Sequence, residues 1–138
     1  SQAGVEVTLL VRGTCALRAG VKGLSDHIQA YSLVGRFLEH ARVVAFGAGG
    51  TPEFYLSSAD WMTRNLDRRI EVSVPIYDAA LQAEVSAMLE CQIRDNVKRR
   101  RLDKKQQNRY VPVGKDDDPM EAHRALYAFY ERQLKDKG

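Results

Sequence analysis

His40-Ala41-Arg42-Val43-Val44-Ala45-Phe46-Gly47-Ala48-Gly49-Gly50-Thr51-Pro52-Glu53-Phe54-Tyr55-Leu56 is the stretch whose reading decides the fold. Val43, Val44 and Phe46 predict a strand over 40–46, and Phe54, Tyr55 and Leu56 predict another, because β-branched and aromatic side chains suit a pleated, half-buried surface. The glycine-rich turn 47–52 joins them as a hairpin connection slightly longer than the two-residue kind. Upstream, Val5, Val7, Leu9 and Val11 alternate along a strand over 5–11 closed by Gly13. Arg12 falls at the carboxyl end of that strand, the end where ligands gather in open α/β sheets. Downstream, 70–74 predicts a further strand ended by Pro75.

Residues 15–25, with Gly20 and Gly23, form a loop. Ser25 or Asp26 could then cap a helix carrying Leu24, Ile28, Tyr31, Gly35 and Leu38 at helical spacing, although 28–33 serves equally as a strand; period alone leaves both open. Asp78 is a strong N-cap for a long amphipathic helix whose stripe is Leu81, Val85, Met88, Leu89, Ile93 and Val97. Lys98 to Arg101 then form its cationic end, where the helix dipole favours them. Residues 103–118 predict a polar loop, and Asp118, Pro119 and Glu121 stand at N-cap, N1 and N3 of a last helix with Ala122, Ala125, Leu126 and Phe129 inward. Residues 135–138 are expected to fray. Strands alternating with helices predict a mixed α/β sandwich in a single domain. Ser1-Gln2-Ala3-Gly4, directly before a strand, reads as the tail of a preceding helix, so the chain is expected to be a piece of a longer one.

The 138 residues are 44% hydrophobic and 28% charged, enough to bury a core without disulfide or metal. Cys15 and Cys91 lack the number and spacing of a disulfide framework or a structural zinc site, which points to reduced thiols in a cytoplasmic setting. No apolar run approaches the roughly 20 residues that span a bilayer. The net charge of +3 is too small to announce a nucleic-acid binder. Its distribution is more informative: Arg64, Arg68 and Arg69; Lys98, Arg99, Arg100, Arg101, Lys104 and Lys105; and Arg109 imply a polyanionic partner.

Of three histidines, His27 and His123 read as structural or solvated. His40 differs, because alternation along a strand puts His40 and Arg42 on one face, an arrangement suited to a phosphate oxyanion with imidazole giving or taking a proton. The competing reading is a histidine satisfied by Glu39 or by backbone. Arg12 and Arg69, at strand ends, could converge with His40, since guanidinium forks match phosphate geometry; singly, each is as readily a surface ion pair. The turn 47–50 is no P-loop, because no Lys-Ser/Thr pair follows it. Ser57 and Ser58 lack a paired base, and Trp61 with Met62 is expected in the core. The 98–105 run could touch a polyanion through phosphate contacts, but without interleaved aromatics to stack bases.

Six strings occur in order across nearly the whole chain: Leu10-Val11-Arg12-Gly13, Gly23-Leu24-Ser25, Val34-Gly35-Arg36-Phe37-Leu38-Glu39-His40, Tyr55-Leu56-Ser57-Ser58-Ala59-Asp60-Trp61-Met62-Thr63-Arg64-Asn65, Arg69-Ile70-Glu71-Val72 and Asn108-Arg109-Tyr110-Val111-Pro112. Together they resemble the carboxy-terminal domain of bacterial polyphosphate kinase of the histidine-phosphorylating type. The resemblance implies an α/β, phospholipase-D-like mixed sheet flanked by helices, residues 1–138 being one of two such halves that enclose an active site. It implies reversible transfer of the terminal phosphate of ATP to polyphosphate, with ADP as the other product. The resemblance further implies Mg2+ bound mainly through another domain, with no metal ligand assigned here, and a phosphohistidine intermediate on the preceding domain. By position, Arg12 and His40 match an ATP-contacting arginine and a second histidine associated with proton transfer, and Arg69 matches an arginine facing the phosphates. His40-x-Arg42 followed by Ser57-Ser58-Ala59-Asp60 is similar to a degenerate phospholipase-D signature, its arginine in place of lysine arguing against phosphodiesterase chemistry. The implied partners are polyphosphate and other domains of the same enzyme, in a homo-oligomer that is cytoplasmic or at the membrane periphery. The reading from a different class is a non-catalytic polyanion-binding module using the 98–105 run.

Overall fold

A computed structural model describes residues 1–136. Its order is β1 (Val7–Leu10), β2 (Ile28–Leu33), β3 (Val43–Phe46), a 3-10 turn, β4 (Glu53–Ser57), α1 (Thr63–Arg68), β5 (Ser73–Ile76), α2 (Ala79–Arg94), β6 (Arg99–Arg101), β7 (Arg109–Tyr110) and α3 (Ala122–Asp136). The chain divides into two compact units: Ser1–Glu39 together with the chain from Met88 onward, and His40–Ala87. α2 begins in the second and ends in the first. The fraying expected of Lys137 and Gly138 lies outside the described residues; Lys135 and Asp136 are helical.

The first unit is a four-stranded sheet in the order β1-β2-β6-β7, with β1 and β2 parallel and the other neighbours antiparallel. The ambiguity at 28–33 resolves to a strand because this is a central position. Ala30, Tyr31 and Leu33 are buried with Ser32 between them, so both faces are covered and no alternation shows in the sequence. Ser25 caps no helix. Its buried hydroxyl donates to the Arg18 carbonyl and accepts from the Val21 amide, pinning a crossover that the parallel pair makes without a helix.

The basic segment departs most from the sequence reading. α2 ends at Arg94, three residues short of the Val97 end of its predicted stripe, and Arg99–Arg101 form a strand. The cause is Asp95, which is wholly buried. Its Oδ1 accepts the amides of Val97, Lys98 and Arg99 at 2.9, 2.6 and 3.0 Å, turning the chain out of the helix. Its Oδ2 accepts the Ala122 amide at 2.7 Å, capping α3 from 27 residues away. α3 therefore starts at Ala122, and Asp118 is not its cap; the Asn96 side chain instead accepts the Met120 amide and donates to the Asp118 carbonyl. β7 inside the predicted loop 103–118 was likewise invisible, because its two residues owe their conformation to pairing with β6.

The second unit is an antiparallel sheet in the order β3-β4-β5. The predicted hairpin forms, Gly49 taking φ 70° in its turn. The strand predicted over 70–74 forms instead at Ser73–Ile76 and includes Pro75, opposite Tyr55. β5 is an edge, where a missing amide hydrogen is tolerated. Ser58 holds Val72 just before the ladder begins, its amide donating to the Val72 carbonyl and its hydroxyl accepting the Val72 amide. Trp61 and Met62 are not core: Trp61 is 81% exposed, in the bend before α1.

His123 is the structural histidine predicted. Its Nδ1 accepts the Phe37 amide at 3.1 Å, which assigns the proton to Nε2, donated to Glu39 Oε1 at 2.7 Å. A Cβ on Gly35 would stand 2.5 Å from that Nδ1. Gly35→Ala is therefore expected to displace the ring and destabilise the chain by about 2–3 kcal/mol. Gly47→Ala, whose Cβ meets open space, should fall within about 0.5 kcal/mol of the parent in urea unfolding.

Candidate functional site

Sequence places His40 and Arg42 two residues apart where the chain enters β3, and pairing begins at Arg42, whose carbonyl accepts the Ser57 amide. Arg42 Nη2 lies 2.8 Å from His40 Nε2, and Arg42 Nε donates to Asp60 Oδ1 at 2.7 Å. A guanidinium only donates, so Nε2 of His40 is an acceptor and the ring carries its proton on Nδ1. Asp60, at the end of the Ser57-Ser58-Ala59-Asp60 string, thereby orients Arg42, and Arg42 orients His40. The hydrogen bond to Asp60 raises the Arg42 pKa, and the same bond, reinforced by the charges of Arg42 and Arg64, lowers that of Asp60. The competing sequence reading, His40 satisfied by Glu39, does not hold, since the Glu39 carboxylate serves His123.

A second carboxylate stands in the same unit. Glu71 accepts hydrogen bonds from the Ser58 hydroxyl and from Asn65 Nδ2, the latter at 2.7 Å. Those two bonds, then the charges of Arg69 and Arg42, hold its pKa below the usual range. Arg69, one of the sequence candidates, thus shares Glu71 with Arg42 as an electrostatic neighbour. Asn65 is buried, and its Oδ1 has no partner among the described residues. Asp60, Glu71, Ser58 and Asn65 were not singled out as site residues; the string that carries three of them was the available signal.

Folded pKa values below the unfolded ones give Asp60 and Glu71 a stabilising contribution above the ordinary carboxylate range. That contribution disappears as pH falls through the depressed values, below about pH 4. Asp60→Asn and Glu71→Gln should each flatten the acid limb of a melting-temperature profile between pH 2 and 6. Parallel limbs in parent and variants would contradict the assignment.

Arg12 belongs to the other unit, where its Nη1 donates to the Glu39 carbonyl at 2.7 Å, one residue before His40 in the chain. An anion shared by Arg12 and the His40 set is a matter of proposal. His27 is an exposed partner of Glu6. Two cations of the 98–105 run serve the fold: the Arg99 guanidinium lies 4.3 Å from the Tyr31 ring centroid and donates to the Ile93 carbonyl, and that of Arg100 lies 3.9 Å from Tyr110. Among the described residues, Lys98, Arg101, Lys104 and Lys105 have no side-chain partner, and no group of three His, Cys, Asp or Glu side chains could hold a metal ion. No helix among them is long and apolar enough to cross a membrane.

A mixed α/β, phospholipase-D-like domain with a histidine–arginine–carboxylate set beside its hairpin defines the class. The family model described as "Polyphosphate kinase C-terminal domain 2" matches residues 1–123. A polyphosphate kinase of Escherichia coli (strain K12) is 52% identical over 114 residues, covering 83% of this chain and 17% of the relative. One from Thermosynechococcus vestitus is 54% identical over 96 residues, covering 70% and 13%. A crystal structure of polyphosphate kinase from Porphyromonas gingivalis superposes with a TM-score of 0.92 at 40% identity, covering 97% of this chain and 20% of that one. The chain belongs to the polyphosphate kinase C-terminal domain 2 family. It spans about one sixth of the length of the curated relatives it matches.

Proposed function

We propose that residues 1–138 are the carboxy-terminal phospholipase-D-like domain of a longer kinase that reversibly transfers the terminal phosphate of ATP to polyphosphate, through a phosphohistidine carried on another domain. The observation that carries this reading is the Arg42 bond to His40 Nε2, which leaves Nδ1–H as the one donor the ring can turn to a phosphate oxygen. Phosphoryl transfer needs positioning and charge stabilisation more than covalent chemistry from every wall of a site. In this proposal Arg12 and Arg69 hold phosphate oxygens, and His40 donates a hydrogen bond or proton to them. The relatives' name implies ATP and ADP as nucleotides. Asp60 and Glu71 do not fit a Mg2+ site, because they are occupied by Arg42, Ser58 and Asn65, so no step through the ion is assigned to this chain. Trp61, Ile70 and Tyr77, 81%, 99% and 87% exposed, suit burial against other domains of the enzyme or another copy of it.

By itself the chain should show almost no ATP-dependent polyphosphate synthesis, because the phosphorylated histidine is elsewhere; measurable synthesis by the 138 residues contradicts the proposal. In the full-length enzyme, His40→Ala should abolish most turnover, and neutralising Arg101, Lys104 and Lys105 should not. The reverse result establishes the non-catalytic polyanion-binding module instead. Phosphodiester hydrolysis dependent on His40 would establish a phosphodiesterase.

A further inference from the structure

We propose that a groove in the first unit, between the segment after β2 and the first turns of α3, binds an oligophosphate chain. The groove encloses about 650 Å3 and includes Arg36, Phe37, Lys98, Glu121, Arg124 and Tyr127 in its lining. Its three cations come from three separate segments, the residues after β2, the turn before β6 and the first turn of α3. Against them stands a single lining carboxylate, Glu121, paired to Arg124 Nε at 3.1 Å. Arg36 rests 5.7 Å from the Phe37 ring centroid, and Lys98 has no side-chain partner among the described residues. Three cationic residues and one carboxylate line this groove, and an anion bound there offsets the excess positive charge.

The floor of the groove narrows the ligand class. His123 lines it, but both ring nitrogens are engaged, by the Phe37 amide and by Glu39. Recognition therefore falls to spread cationic charge and not to one directed imidazole bond. The volume of about 650 Å3 is far larger than a single phosphate needs, and the cations come from three separate segments; both properties suit a flexible chain with a charge on every unit. Phe37 and Tyr127, 57% and 67% exposed, also offer ring faces, so a nucleotide is the competing phosphate source. The choice of ligand rests on the polyphosphate kinase reading, but none of these cations belongs to the unit that carries His40.

The test is titration of the 138-residue chain with tripolyphosphate, a longer polyphosphate and ATP, followed by amide chemical shifts at two salt concentrations. Shifts should centre on Arg36, Lys98 and Arg124, with affinity rising with phosphate chain length. Arg36→Gln combined with Arg124→Gln should weaken polyphosphate about tenfold or more and reduce the log–log salt slope by about two contacts. The melting temperature should stay unchanged, because both side chains are exposed. Arg101→Gln with Lys104→Gln should leave affinity within about twofold. Absence of binding, shifts centred on residues 101–109, a double variant that binds like the parent, or ATP displacing polyphosphate from the groove at lower concentration would each overturn the proposal. In the full-length enzyme the double variant should raise KM for polyphosphate with kcat retained. His40→Ala should leave binding to the chain intact, so groove and transfer chemistry fail separately.

Discussion

Arg42→Ala in the full-length enzyme is expected to lower kcat about 100-fold while changing KM for ATP by less than about threefold, because Arg42 acts on the orientation of His40 and not on substrate affinity. In the domain, Arg42 bridges His40 Nε2 and Asp60 Oδ1 at 2.8 and 2.7 Å, so its loss frees the ring to rotate and to exchange tautomers. His40→Ala should cost about 10²- to 10⁴-fold, the range of a lost proton donor. The double variant should be no worse than His40→Ala, because the two residues act as one unit. Arg42→Lys should recover part of the rate, since an ammonium holds either the imidazole or the carboxylate but lacks the fork that holds both. Imidazole nitrogen shifts give a readout that a merely structural role would not move: His40 should appear with its proton on Nδ1 in the parent and lose that bias in Arg42→Ala. Parent-like kcat in Arg42→Ala, or a parent His40 protonated on Nε2, sinks the assignment.

The largest stability effect is expected at Asp95. Asp95→Ala removes the acceptor of four backbone amides at once, those of Val97, Lys98, Arg99 and Ala122, at a residue with no solvent exposure. Charge-assisted hydrogen bonds and the burial of orphaned donors put the loss at about 3–5 kcal/mol, a large share of a small domain's total stability. Asp95→Asn keeps the Oδ1 turn but sets an amide against the Ala122 N–H, and should lose about half as much. Urea unfolding followed by circular dichroism measures both. Should Asp95→Ala fail to fold, faster hydrogen exchange at the Ala122 amide of Asp95→Asn carries the test, and unchanged exchange there with a loss under about 1 kcal/mol refutes the role.

Elements whose cause is local were legible before any coordinates. The 40–56 hairpin forms because β-branched and aromatic residues flank a turn rich in glycine, and α2 begins where Asp78 predicts, its Oδ1 accepting the Leu81 amide. His40 and Arg42 were legible as a pair because they stand two residues apart, although the strand predicted from His40 begins only at Val43 and both precede it. Asp60 was not, because it lies 18 residues from Arg42 and the intervening hairpin brings it back. Glu71 was hidden likewise, its partner Ser58 being 13 residues away.

Sequence by itself determined the family, the hairpin, the start of the long helix and the pairing of imidazole with guanidinium. Each rests on neighbours along the chain or on a string long enough to be distinctive. Tertiary structure alone decided where α2 stops, that three arginines form a strand, which carboxylate caps α3 and which one orients Arg42. A helical stripe records only the preference of its own residues, whereas one buried carboxylate on four amides outweighs that preference from outside the pattern. The partners of Arg99 and Arg100, Tyr31 and Tyr110, became neighbours only when β2, β6 and β7 paired.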